Sequence, residues 1–306
     1  MFAKISQFFQ KKNSPWQEVD ASVYETAYQQ YGGSFLTHPL TVKALSNMVN
    51  TPIRYFAQYE EATLIGAIPT WGKYIVGDKR FLKKINKRRE VDTGNAEVIL
   101  PLCLEHTFSL EVKTQFLSER HAENILNRQP QAETLSFANA FNQGGYSKKF
   151  RYNRRRELKL FKQAEGEVIS FEQLSTEQIA QEYCLLFEKR WEKKAKGHER
   201  LAEFLNQVQP LLKGHLLRLE DKSIAIQLIF VAETQPLVSA EYINGGVDLT
   251  YKKYSPGSIL SFLNIQMVEK IADDHNKPFR YSFGITDNAY KDSWCKAHPV
   301  YQVSSW

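Results

Sequence analysis

The sequence is poor in sulfur, and that shortage excludes several chemistries. Three cysteines, Cys103, Cys184 and Cys295, lie far apart in 306 residues. They leave no room for a disulfide scaffold or a four-cysteine zinc site, and they suit a reducing cytoplasm. No run of eighteen apolar residues occurs, so no membrane-spanning helix is expected. The opening MFAKISQFFQKKNSPW has neither the continuous apolar core nor the small-residue cleavage site of a secretory signal. The seven histidines never recur at i,i+3 or i,i+4, which removes helical zinc motifs. Walker A, G-x-S-x-G and kinase signatures are missing as well. No metal is expected.

Apolar residues make up 42% and charged residues 24%, so the chain can bury a core and has no compositional case for disorder. The length corresponds to about two domains at roughly 150 residues each. Forty basic residues face thirty-four acidic ones, a net +6. The excess is concentrated. Between Ser147 and Lys162 lie Lys148, Lys149, Arg151, Arg154, Arg155, Arg156, Lys159 and Lys162, opposed only by Glu157. A second run, Lys79 to Arg89, holds seven basic residues and no acid. One such run is what a solvated helix face produces. Two dense runs point to an anionic partner: phosphate, nucleic acid or a lipid surface.

The periodicity predicts a helix opened by Asp20 and stopped at Gly32–Gly33, a second helix after Pro39, then a hairpin, IRYFAQY and TLIGAIPTW, turning at Glu60–Glu61. It predicts a basic loop from Lys79 to Arg89, a strand at EVILPL, and helices from Leu117 to Arg128 and Leu135 to Phe141. After Gly144–Gly145 comes a long basic helix. The later order is strand, two helices, a three-strand meander, a helix from Ser258 to about Asp274, a strand, a short helix and a strand. A meander that feeds a helix through a glycine-bearing loop and is followed by a returning strand is an α+β layout. It is the layout of GCN5-related N-acetyltransferases (GNAT), and the first half repeats it weakly. The expected organisation is a tandem of GNAT-like folds with mixed, mostly antiparallel sheets: a divergent unit over 1–145, a basic connecting helix over 146–165, and an acyltransferase unit over 166–306.

The octapeptide YKKYSPGS is the most informative segment. Ser255 sits where an N-cap would, Pro256 follows at the first helical position, and Gly257 and Ser258 are small. Backbone N–H groups at such a helix start can reach a pyrophosphate, with Lys252 and Lys253 adding charge. A well-capped helix without a ligand reads the same way.

The block YINGGVDLTYKKYSPGSIL followed by FRYSFGITDNAYKDSW resembles the catalytic half of BioF-like GNAT acyltransferases and of the Fem aminoacyl ligases. The matching features are Tyr242, Gly245, Gly246, Asp248, Tyr251, Ser255, Pro256, Gly257, Phe283, Gly284, Tyr290 and Lys291, and the arginine-rich helix FRYNRRRELKLF is similar to the one before the second half of those proteins. With YGGSFLTHP near the start, the chain resembles the macrophage-inducible antimicrobial peptide resistance (Mig) family of Gram-negative bacteria. That resemblance implies a cytoplasmic or inner-membrane-associated protein that helps resist cationic peptides, without implying a reaction.

Acyl transfer from a thioester to an amine needs a group to take the amine's proton, donors for the oxyanion and a proton for the departing thiolate. The candidates are Glu241, Tyr242, Asp248 and Tyr290. For Glu241 and Asp248 a turn or edge carboxylate is the bland alternative, and for the tyrosines packing is. The donor would be acyl-CoA or acetyl-CoA, held by Lys252, Lys253, Ser255, Gly257 and Ser258, with Arg151 and Arg155 from a stripe that also carries Lys159 and Lys162. An aminoacyl-tRNA donor is one alternative. A non-catalytic protein lying on an anionic membrane is another, with Phe8, Phe9, Lys11 and Lys12 as its foot. Cys295 and His298 could form a nucleophilic pair, and a packed thiol is the plainer reading.

Overall fold

The computed structural model describes residues 14–142 and 144–304, so the Phe8–Lys12 foot lies outside the described residues. The first elements are β1 (Gln17–Val19), α1 (Ala21–Tyr31), α2 (Pro39–Val49), β2 (Arg54–Glu60), β3 (Thr63–Trp71) and β4 (Tyr74–Ile75). They form the expected helix pair and hairpin. Gly32, at φ 76°, ends α1 by turning its N–H back to the Tyr28 carbonyl. The hairpin turns through Glu61 at φ 54°. The strands make a four-stranded sheet in the order β1-β2-β3-β4.

After α3 (Lys79–Lys84) come β5 (Thr114–Ser118), β6 (Gln129–Ala138) and α4 (Lys148–Gln163). Three expectations need correction here. The start of the Lys79–Arg89 run is a helix, because the Asp78 carboxylate caps it by accepting the Arg80 N–H at 2.8 Å. The segment EVILPL runs with isolated bridges, Val98 to Leu117 and Gly66 to Leu102, rather than as a strand. Residues 114–118 and 129–138 are strands where helices over 117–128 and 135–141 were expected. Their partners in the last strand lie about 160 to 190 residues further on, and pairing with those partners overrides the local pattern.

The remainder is β7 (Glu167–Ser170), α5 (Thr176–Trp191), α6 (Leu201–Gln207), β8 (Leu212–Lys213), β9 (His215–Leu219), β10 (Lys222–Glu233), β11 (Val238–Val247), α7 (Pro256–Asp274), β12 (Phe279–Ile285) and β13 (Cys295–Val303). A capping box between Ser175 and Gln178 starts α5. One nine-stranded sheet runs β5-β13-β6-β12-β11-β10-β9-β7, with β8 beside β10. The 1–145 segment thus contributes β5 and β6 to the sheet of the second half. Only β11 and β12 pair in parallel among the sheet's named strands.

Two layers cover this sheet. On one face, α7 buries Phe262, Ile265 and Val268 against Ala240, Tyr281 and Phe283. On the other, α5, α6 and the N-terminal half share a core in which Phe35 stacks on Phe230 at 4.2 Å. The amphipathic α4 lays Leu158 and Phe161 beside the start of α7, with Phe161 6.2 Å from the Tyr254 ring.

Candidate active site

The parallel strands β11 and β12 stay paired for four residues, Val238–Glu241 against Phe279–Ser282, and then part. Two features drive them apart. A bulge at Ile243 shifts the β10 register, with Ile229 facing Tyr242 and Leu228 facing Asn244. Beyond Ser282, β12 bends through Gly284 at φ 73° and keeps only its partner β6. The result is a notch walled by Tyr242–Asn244 and Phe283–Ile285. An extended ligand can add itself there as a strand would, through main-chain hydrogen bonds.

Past the notch, β11 leads through a turn to the start of α7. Ser255 is not the side-chain cap expected: it sits at φ 54°, ψ 46°, and its own N–H goes to the Lys252 carbonyl at 3.0 Å. Space at the helix start remains, because a Cβ on Gly257 would meet only Val247, at 3.9 Å. Lys252 and Lys253 are both exposed, and Ser258 is half-buried. Arg155, Lys159 and Lys162 line one open groove on α4, beside this turn. Arg151 stands apart, because its guanidinium donates to the Phe141 carbonyl at 3.2 Å. Arg154 packs over Phe150 and Trp294 and pairs with Glu157 at 2.9 Å, so it too has a structural task.

The proposed proton carriers separate. Asp248 is fully engaged: one oxygen accepts from the Thr250 N–H at 3.0 Å and its hydroxyl at 2.7 Å, and the other takes the Lys189 ammonium at 2.9 Å. Those bonds hold its carboxyl below the usual range despite some burial. The expectation of a catalytic Asp248 gives way to a capping carboxylate, since an ionised group with both oxygens bonded is a weak proton acceptor. Tyr290, half-exposed on the turn Ala289–Ser293, lies within electrostatic reach of Tyr242 and Cys295, and burial of its hydroxyl pushes it up to about 12. Burial raises Tyr242 as well, so both hydroxyls stay protonated at neutral pH. Lys291 is bonded to the Ile285 carbonyl and to Asp287 at 2.8 Å, which secures the turn.

Glu241 sits at the apex, 1% exposed, accepting the Glu97 N–H at 2.8 Å. Burial, with the nearby Glu97 charge, lifts its carboxyl to about 8. Folding therefore takes up a proton at Glu241. The stability it contributes is whole below its ordinary 4.5 and is lost as pH rises through about 8. Glu241→Gln keeps an acceptor for the Glu97 N–H, so its melting temperature should exceed the parent's above pH 8 and fall less between pH 6 and 9. Equal pH dependence in the two proteins would refute this.

Sequence reasoning missed the charged group beneath Glu241. Arg280, paired with Ser239 across the parallel ladder, turns towards the N-terminal half. Its Nε and Nη2 grip Glu97 at 2.6 and 2.5 Å, its Nη1 reaches Glu119 at 3.2 Å, and it lies 3.9 Å over the Phe137 ring. His298 Nδ1 stands 2.7 Å from the same Glu119 oxygen. That contact settles the Cys295–His298 alternative, since His298 faces Glu119 and burial holds the Cys295 thiol up at about 12. An arginine inside the apolar strand FRYSFG was the one local sign of this cluster. Among the described residues no group of three or more histidine, cysteine or acidic side chains could hold a metal ion, and no helix is long and apolar enough to cross a membrane.

A mixed sheet in this order, with its one parallel pair parted beside a helix-starting turn, is a GNAT-like α+β fold. The crystal structure of FemX is similar at TM-score 0.58 and 9% identity, over 95% of this chain and 97% of that one. A conserved protein of unknown function from Bacteroides thetaiotaomicron is similar at TM-score 0.47 and 12% identity (95% and 99%), and a tandem GNAT protein from the clavulanic acid biosynthesis pathway at 0.41 and 8% (94% and 97%). No curated protein matches the sequence. The Mig-14 family model matches residues 38–303, and the chain belongs to that family.

Proposed function

We propose that the protein is an acyltransferase that takes an acyl group from acyl-CoA and passes it to an amine of an envelope-related acceptor, in support of resistance to antimicrobial peptides. The observation that carries this reading is the parting of β11 and β12 immediately before the turn into α7. The pantetheine arm would lie in the notch, and its phosphates would lie by Gly257, Ser258, Lys252 and Lys253. Attack of the amine on the thioester carbonyl forms a C–N bond and breaks the C–S bond. In this reading Glu241, when ionised, takes the proton the amine loses, and Tyr290 or Tyr242 protonates the departing thiolate.

The test is a calorimetric titration with CoA and acetyl-CoA. Saturable binding is expected, weakened about tenfold in the Lys252→Glu/Lys253→Glu protein, as loss of two solvent-exposed phosphate contacts should do. No CoA binding at all would remove the reading.

A second donor is favoured by one observation. Lys148, Lys149, Arg155, Arg156, Lys159 and Lys162 are all exposed on α4. A helix of 16 residues spans about 24 Å, and CoA carries its phosphates at one end only. An aminoacyl-tRNA would use that length, and its binding would fall steeply with salt. Binding of tRNA without CoA would select this donor. Binding only to anionic vesicles would select a non-catalytic, membrane-peripheral protein.

A further inference from the structure

A second pocket lies on the face of the sheet opposite α7. It is lined by Gly77, Lys79, Thr93, Gly94, Asn95 and Phe116, over an apolar floor. The pocket abuts the notch on both sides. A Cβ on Gly94 would meet the Ile243 backbone at 3.4 Å, at the bulge of β11, and a Cβ on Gly284 in β12 would meet Asn95 at 3.9 Å.

The charged residues of its lining are Asp78, whose carboxylate is committed to the N–H and guanidinium of Arg80, and Lys79. The Lys79 ammonium donates to the Asn95 side-chain oxygen at 2.5 Å and lies 6.0 Å from the Phe116 ring centre. No carboxylate among the described residues comes within ion-pair distance of it. Asp92, whose charge acts on Lys79, is bonded to the Gly94 N–H at 3.2 Å and paired with Lys196 at 3.5 Å, and Arg88 adds further positive charge nearby. Burial pulls the ammonium down to about 8, a cost that a bound anion would relieve. Phe116 adds a second sign of construction. It is a bulky residue held at φ 53° inside β5, with its N–H on Gln131 at 2.6 Å and its carbonyl accepting from Val98 at 2.8 Å. Such a backbone costs about 1–3 kcal/mol and persists only where the surroundings enforce it.

We infer that this pocket seats a carboxylate of the acceptor, with Lys79 as its counter-ion and the Asn95 amide N–H as a second donor, so that the acceptor's amine enters the notch from the face opposite the α7 helix. The inference rests on the transfer reading and names its acceptor class: an amine that also carries a carboxylate. An apolar or purely cationic amine would leave the Lys79 charge unmatched.

Reductive methylation of the intact protein tests this. Lys79 condenses with formaldehyde to an imine with loss of water, and cyanoborohydride delivers hydride to give N-methyl-lysine, which peptide mass spectrometry locates. Succinate, compared with sodium chloride of equal ionic strength, is expected to slow methylation of Lys79 several-fold and leave exposed Lys148 unchanged. CoA is expected to leave Lys79 unprotected, and Lys79→Met is expected to bind CoA as the parent does. Equal rates in succinate and chloride, or no reaction at Lys79, would overturn the assignment. Shielding by CoA but not succinate would give the pocket to the donor and sink this inference alone. Succinate shielding in a protein that binds no donor of any kind would sink the transfer reading and the acceptor assignment with it.

Discussion

Arg280→Met should cost about 3–5 kcal/mol of unfolding free energy, the usual penalty for removing one partner of a buried ion pair. Methionine keeps most of the stem and its contact with Phe137, so the loss isolates the guanidinium. Glu97, fully buried, would lose both of its charged hydrogen bonds, and Glu119 one. Urea unfolding followed by fluorescence reads the change directly. Because the damage is the orphaned carboxylate, Glu97→Gln in the same background should recover part of it, a coupling that a double-mutant cycle measures. A loss under about 1 kcal/mol would show that the cluster is as weak as a surface pair. The Arg280 charge also favours the ionised form of Glu241, so Arg280→Met should raise the pH at which Glu241 ionises.

Gly246→Ala is the second large effect, at about 3 kcal/mol or failure to fold. A Cβ there would stand 2.3 Å from the Leu186 carbonyl carbon and 2.4 Å from the Phe187 nitrogen. Both are backbone atoms of α5, so relief requires moving the helix. Gly257→Ala is the control, because its Cβ would make only an ordinary contact with Val247, at 3.9 Å. Its stability should change by less than about 1 kcal/mol, the ordinary helix-propensity range. If Gly246→Ala unfolds at the parental urea concentration, α5 does not lie against β11 as described.

These cases show what could be read in the chain beforehand. The pair Gly245–Gly246 is conspicuous in the sequence, and the reason for Gly246 is contact with α5; the phosphate-site likeness lies eleven residues further on, at Gly257. The meander, α5 and α7 were legible because their apolar periods are long and their ends carry local signals such as the Ser175–Gln178 box. Strands β5 and β6 were not, because the residues that make them strands lie in β12 and β13. Glu241 and Tyr242 lie where β11 and β12 part, and Tyr290 is within electrostatic reach of Tyr242, whereas Asp248 and Arg151 are bonded to neighbours that spacing alone cannot show. Lys79 read as one cation in a surface run, and its inward turn follows from the Asp78 cap and from Asn95, sixteen residues away.

The interleaving of β13 between β5 and β6 has a consequence for biosynthesis. A ribosome must release residues up to 303 before the strand laid down at 129–138 gains its second neighbour. Until then the nascent chain carries a long unsatisfied edge, the kind of surface that recruits chaperones or misassembles. Truncated or split versions should accordingly aggregate rather than yield two soluble pieces, and refolding should be slow for a chain this size.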